Sequence, residues 1–254
     1  MIKSNIKNIL IVFLIAIAVI ILFVNKSNNP TSSSGNSSTS TNTNGEPLLP
    51  FGQITREDVI KHIEWAYKNG KNYQQFALEK GAPEDYVVDF YQPNFRDANV
   101  KPKEEQGGII VFKIVDKEPQ IFWETSNPVT LTRPVIETRD ITNDGKVEIL
   151  ADWSDGTIDN LFIYSWTGSE FKFISPTTLF KSPYSGKEII GYIFVVRMGD
   201  IQIKDIDNDN IDEVIISGGT TRDKIGNEIP IQRERIYKFN GQEYKLWKEE
   251  KVKS

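Results

Sequence analysis

The stretch DIDNDNIDEVII, from Asp205 to Ile216, decides how the rest of the chain is read. Oxygen-bearing side chains stand at its first, third, fifth and ninth positions (Asp205, Asp207, Asp209 and Glu213), and a β-branched run follows at once. Carboxylates so spaced converge only if the chain turns tightly about one point, and a hard cation there would offset their mutual repulsion. Ca²⁺ suits such a loop because it accepts six to eight oxygens in a flexible shell, among them a backbone carbonyl at the seventh position. Here that carbonyl belongs to Ile211. Asn210 occupies the place where glycine is usual, and asparagine tolerates the left-handed backbone better than most residues. The alternative is an acidic turn held by Asp and Asn side chains bonding to their own backbone.

A second loop, DITNDGKVEIL, starts at Asp140. It offers Asp140, Thr142, Asp144, the Lys146 carbonyl and Glu148, with glycine at position 145. Thr142 supplies a neutral oxygen in place of a carboxylate, so this loop is expected to bind more weakly. An EF-hand fits neither loop: its bidentate glutamate at the twelfth position would fall on Ala151 or Ile216, and strands rather than helices follow.

Each loop precedes one copy of a second motif. IYSWTGSEFKF, from Ile163 to Phe173, matches IYKFNGQEYKL, from Ile236 to Leu246, at nearly every position. Both alternate apolar or aromatic with polar residues about a Thr167-Gly168 or Asn240-Gly241 turn, the pattern of a β-hairpin with positive φ at its tip. The repeating unit therefore reads strand, acidic loop, strand, connector, hairpin: four strands. A third hairpin-like stretch, Ile109 to Glu124, is a candidate remnant of another unit. Its upstream Asp97 and Asn99 have ligand spacing, but Lys101 takes the next ligand place.

These paired features resemble the FG-GAP/VCBS repeats of integrin-α-type β-propellers, over roughly Pro134 to Glu249. The resemblance implies calcium-stabilised, blade-like sheets in a surface or secreted protein that serves adhesion or ligand display, with the loop positions named above as calcium ligands. Two or three units are too few to close a ring of 4–8 blades, so the expected architecture is a partial, propeller-like array.

The N-terminus carries a different signal. Ile9 to Val24 is unbroken apolar sequence, with Lys3 and Lys7 before it and Lys26 after it. With flanking side chains reaching the headgroups, this suffices for one transmembrane helix. The lysine bias keeps the N-terminus inside and sends the bulk of the chain out. A cleaved signal peptide, which would make the protein secreted, is the alternative; no small-x-small site follows Val24. Ser27 to Gly45 is almost wholly Ser, Thr, Asn, Gly and Pro, the composition of a flexible tether.

Beyond the tether, Thr55 and Asp58 form a capping-box pattern ahead of Val59, Ile60, Ile63, Ala66 and Tyr67 at helical spacing, with Gly70 as the stop. A second short helix is expected from Asn72 to Lys80, closed by Gly81 and Pro83, with Tyr73, Phe76 and Ala77 facing inward. The organisation that results is an anchor (1–26), a tether (27–46), a helical piece (47–104) and a β-repeat domain (105–254). The fold class is mainly β with a short N-terminal α-helical piece and one transmembrane helix.

Composition narrows the function. Without its first 46 residues the chain holds 27 basic against 34 acidic residues, which argues against a nucleic-acid partner. With no cysteine and one histidine, thiolate metal sites, disulfides and Cys-His chemistry are excluded and Ser-His chemistry has few players. His62 reads as structural, and no Gly-x-Ser-x-Gly, His-Glu-x-x-His or phosphate-cradling motif occurs. The expected role is non-enzymatic: a calcium-bearing module at the cell membrane, presenting loops such as Ser175–Gly186 and Gly218–Pro230 to an extracellular protein or glycan. The rival is a polysaccharide-acting hydrolase or lyase, or a carbohydrate-binding module using Trp153, Trp166 or Trp247; core packing is the expected role of these tryptophans. Protease added to intact cells is expected to release a soluble fragment that begins in the Ser/Thr/Asn tether. Recovery of the protein in the medium with a processed N-terminus would support cleavage instead.

Overall fold

The computed structural model describes residues 45, 47, 54–71, 73–91, 108–125, 134–154, 156–181, 188–222, 228–231 and 233–251. The expected transmembrane helix, the tether up to residue 44 and the Asp97/Asn99 pair lie outside them. Among the described residues no helix is long and apolar enough to cross a membrane. The chain divides into two compact units, and the one formed by Thr39–Thr221 with Pro230–Ser254 carries the helix, the sheets and the sites described below.

Its one described helix, α1 (Arg56–Lys68), begins as the sequence requires. Thr55 Oγ1 accepts from the Asp58 amide at 3.2 Å, and the Asp58 carboxylate accepts from the Thr55 amide at 2.9 Å. Such a cap contributes about 1 kcal/mol. The helix buries Val59 and Ile63 against Tyr91, Ile110 and Phe112 of the first sheet. His62 pairs with the Pro47 carbonyl at 3.0 Å and stands edge-on to Tyr73, a structural role.

The rest is antiparallel β. The first sheet runs β1 (Tyr86–Tyr91), β2 (Gly108–Val115), β3 (Glu118–Glu124). The turn between β2 and β3 is Asp116-Lys117, with φ of 52° and 66°, the double left-handed geometry that matches strand twist in a two-residue hairpin. The second sheet is a meander of β4 (Val135–Arg139), β5 (Glu148–Ser154), β6 (Ile158–Trp166) and β7 (Phe171–Phe173). Next come β8 (Thr177–Lys181) and β9 (Glu188–Tyr192), which pair with each other, and β10 (Val195–Arg197), which adds to β6 beside β7. The third sheet repeats the meander with β11 (Gly199–Lys204), β12 (Glu213–Gly218), β15 (Arg233–Phe239) and β16 (Tyr244–Lys251). Between β12 and β15 lie the short strands β13 (Thr220–Arg222) and β14 (Glu228–Pro230), which pair with each other.

Period-two alternation explains how the sheets share cores. In β5 and β6, Ile149, Ala151, Trp153, Phe162, Tyr164 and Trp166 face one way and join Phe90, Ile109 and Val111 of the first sheet. Their neighbours Leu150, Leu161 and Ile163 face the other way and join Val214, Ile216, Tyr237 and Tyr244 of the third. The centre of the second sheet is buried on both faces, which is why β5 and β6 read as apolar runs at Ile149–Ala151 and Leu161–Tyr164. Trp153 and Trp166 are core residues, while Trp247 is 39% exposed.

Two expectations need correction. Residues 73–85 form no helix: Phe76 and Tyr86 exchange backbone hydrogen bonds at 2.9 and 3.2 Å, the Lys80 amide donates to the Gly145 carbonyl at 2.7 Å, and the Val147 amide donates to the Leu78 carbonyl at 3.0 Å. A nine-residue helix is marginal alone, and here partners in neighbouring strands satisfy those groups instead. The two matching hairpins also turn more widely than two residues. Only the glycines take positive φ (Gly168 96°, Gly241 94°), and the Thr167 and Asn240 amides donate to the Glu170 and Glu243 carbonyls. Thr167 Oγ1 and Asn240 Oδ1 then each accept the amide three residues on, so two different side chains do one job.

Gly199, where β11 starts, is held by crowding. A methyl there would collide with Val196 Cγ2 and the Ser217 carbonyl, one of them backbone. Gly199→Ala is expected to cost about 1–3 kcal/mol, read as a lower urea midpoint with an unchanged slope; an unchanged midpoint would show that the sheet relaxes around it.

Candidate metal centre

The two acidic loops join β4 to β5 and β11 to β12, and their backbones follow one course. The fourth and sixth positions are left-handed in both: Asn143 (57°) and Gly145 (82°) in the first, Asn208 (62°) and Asn210 (67°) in the second. Asparagine and glycine are the residues that enter this region at least cost. In each loop the first aspartate turns inward and accepts the amide at the sixth position, Gly145 to Asp140 and Asn210 to Asp205, both at 2.9 Å. The fifth-position aspartates accept the amide two residues on, Lys146 to Asp144 and Ile211 to Asp209, also both at 2.9 Å.

The ninth position closes the loop from below. Glu148 and Glu213 are completely buried where their strands begin. Each carboxylate accepts the amide of its loop's second residue: Ile141 to Glu148 Oε2 at 2.9 Å, and Ile206 to Glu213 Oε2 at 3.0 Å. A buried carboxylate is costly unless hydrogen-bonded and compensated by positive charge, and the two loops handle the other oxygen differently. Glu148 Oε1 accepts the Ser165 hydroxyl at 2.7 Å, with Thr142 Oγ1 3.4 Å away. Glu213 Oε1 is buried without a hydrogen-bond partner and faces Lys238 Nζ at 3.3 Å.

In the second loop, carboxylate oxygens of Asp205, Asp207 and Asp209 lie within 4.8 Å of one another, close enough to share one ion. Lys238 reaches the same group: its Nζ is 2.6 Å from Asp207 Oδ2 and 2.5 Å from Asp209 Oδ2. These contacts hold the Lys238 ammonium well above its ordinary range, Asp207 contributing most, and Lys238 in turn holds Asp209 below its own. Lys238 and Ser165 occupy the same position of the two matching hairpins. Neither stands out by motif or spacing, although aligning the hairpins sets a cation against a hydroxyl.

The expected ligands thus fall into two sets. Asp205, Asp207 and Asp209 converge, with Glu213 joined to them through Lys238. Asp140, Thr142, Asp144 and Glu148 share the first loop, where Lys146 reaches Asp144 at 3.4 Å from the solvent side. Ile211 and Lys146, whose carbonyls were expected to take part, sit at the same step of their loops. The donor chemistry, all oxygen with a buried carboxylate at the foot, fits a hard divalent cation.

The loops also touch one another. The Asp212 amide donates to the Ile141 carbonyl at 2.8 Å, and the Asp212 carboxylate is ion-paired with Arg139. The Val147-to-Leu78 bond repeats that step one unit earlier: in each case the eighth residue of a loop donates to the unit before it. Leu78 therefore stands where Ile141 stands, and Ala77–Asp85 fills the loop's place ahead of the first sheet. Ala77 there occupies the place of the first aspartate. A cleft of about 670 Å³ opens beside the first loop, lined in part by Gln75, Glu79, Lys80, Arg139, Asp140 and Lys146.

Burial, reinforced by Asp140 and Asp144, pushes the Glu148 carboxyl up from 4.5 to about 7, against the lowering effect of its bonds to Ser165 and Ile141. A raised carboxyl favours folding fully below its unfolded pKa and loses that contribution as pH rises through the folded one. In chelator, stability is therefore expected to fall from about pH 5 to pH 8, by at most about 1.4 kcal/mol per unit. Urea melts across that range should show the slope in wild type and a flatter profile in Glu148→Gln; equal slopes would assign the dependence elsewhere. No protein-family model, curated protein or solved structure matches this chain.

Proposed function

We propose that the chain is a single-pass, membrane-anchored module whose extracytoplasmic β-repeat domain is stiffened by Ca²⁺ and presents loops to a protein or glycan ligand. The observation that carries the metal reading is the recurrence of one loop geometry in two sheets, each time with a buried glutamate at its foot, and in the second loop with oxygens of Asp205, Asp207 and Asp209 within 4.8 Å of one another. A buried carboxylate is expensive to keep twice for a turn alone. A divalent ion would supply the charge that the first loop lacks.

The FG-GAP/VCBS likeness belongs to the same proposal. It is supported by the two four-stranded meanders, each with its acidic loop between the first and second strands, and by the backbone bond that steps from unit to unit. On this reading the units are blades of an incomplete propeller, α1 covers the first blade, and the cleft beside Asp140 is one surface open to a ligand.

Calorimetry and thermal melting of the full chain test the metal role. Extracellular modules hold Ca²⁺ at roughly 10⁻⁴–10⁻³ M, and tenfold saturation of one site is expected to add about 1.4 kcal/mol relative to chelator. Mg²⁺, which demands tighter octahedral geometry, should add less. The double variant Asp140→Asn/Asp209→Asn should lose the shift. Neither heat of binding nor a change in melting in wild type would remove calcium from the proposal.

A further inference from the structure

We infer that Lys238 is a tethered counter-ion that competes with Ca²⁺ for the second loop, so that the loop richer in carboxylates is the weaker metal site. The inference rests on the calcium reading and adds to it a residue that sets the affinity of one loop against the other.

Three acidic groups lean on one ammonium here, and a fourth stands beside them. Asp207 and Asp209 are in hydrogen-bonding contact with Lys238 Nζ, Asp205 shares their cluster, and Glu213 faces the ammonium from beneath with an oxygen that has no hydrogen bond of its own. An ammonium offers three donors, which Asp207 and Asp209 largely occupy. The Oε1 atom of the buried glutamate is left with charge compensation at 3.3 Å but no hydrogen bond of its own. An ion with six to eight coordination places could serve all four groups at once. To enter, it must first expel Lys238.

Lys238 has somewhere to go. Its side chain is 23% exposed, and its Nζ already lies 5.1 Å from the centre of the Trp247 ring, whose face also carries Lys248 at 3.7 Å. Displacement across that ring would keep the lysine near an aromatic face and would change the surroundings of Trp247, which makes this tryptophan a reporter. The first loop has no such competitor at the matching place. Ser165 satisfies Glu148 with a neutral hydroxyl, and the Lys146 ammonium reaches Asp144, at 3.4 Å, rather than the buried carboxylate. The two repeats thus hold one scaffold with opposite fillings: a built-in cation in the second, an invitation to an external one in the first.

The test is Ca²⁺ calorimetry with parallel tryptophan fluorescence on the full chain, in wild type, Lys238→Ser, Lys238→Gln and Lys238→Ser/Asp207→Asn. Lys238→Gln keeps most of the aliphatic stem and guards against a folding defect in the serine variant. Both single variants should bind Ca²⁺ roughly tenfold or more tightly at one site, and Asp207→Asn should abolish that gain. In chelator both should melt below wild type, because the carboxylates have lost their counter-ion, and saturating Ca²⁺ should close the gap. Wild-type affinity retained in both variants would overturn the role of Lys238 and leave calcium binding intact. Absence of Ca²⁺ binding in every protein would overturn both.

Discussion

A fully buried glutamate at the foot of a strand, accepting the amide of its own loop's second residue, is the contact on which the β domain turns. Glu148 and Glu213 make it in the same way. Each fixes where its loop ends and its strand begins, and so sets which residues face each core. Placing a carboxylate there is worthwhile only if its charge is met. The surrounding chemistry follows from how each unit meets it: a hydroxyl that donates a hydrogen bond in one, a lysine in the other.

The cores show the same dependence. Because Glu148 starts β5, Ile149 points toward the first sheet and Leu150 toward the third, and a one-residue slip would exchange the two sets. The aromatic residues of β6 and β7 fill the first of these interfaces, where Phe162, Tyr164 and Phe173 meet in edge-on pairs. Ring pairs of this kind contribute roughly 0.5–1.5 kcal/mol beyond their buried area. The rigidity of the loops is thus borrowed from packing directly beneath them.

Much of this was legible in the residues. The capping box at Thr55 and Asp58 marked the helix start, and the two hairpins with their acidic loops marked the repeating unit, because these signals are local and each carries its own hydrogen bonds. The segment after Lys71 misled because its apolar spacing suits a helix, whereas its backbone is claimed by Tyr86, Gly145 and Val147, the last two more than sixty residues away. Lys238 was missed for a related reason. Its meaning depends on register, which sets β15 beside β12 and brings the lysine over Glu213. Asn143 and Asn208 carried a signal that spacing alone did not reveal: an asparagine at the fourth step of both loops, serving a backbone angle rather than a ligand.

The bond from the eighth residue of one loop to the second residue, or its equivalent, of the unit before it gives the array a phase. Val147 reads Leu78, and Asp212 reads Ile141, across gaps of nearly equal length in sequence. An evolving chain can therefore gain or drop a whole unit and keep every rung aligned, whereas a residue inserted between the second and eighth positions of a loop would break step at that loop's own rung. Change should accumulate in the connectors between the second and third strands, which differ most between the two units, and spare the loops, including the Ala77–Asp85 segment whose first position carries no carboxylate.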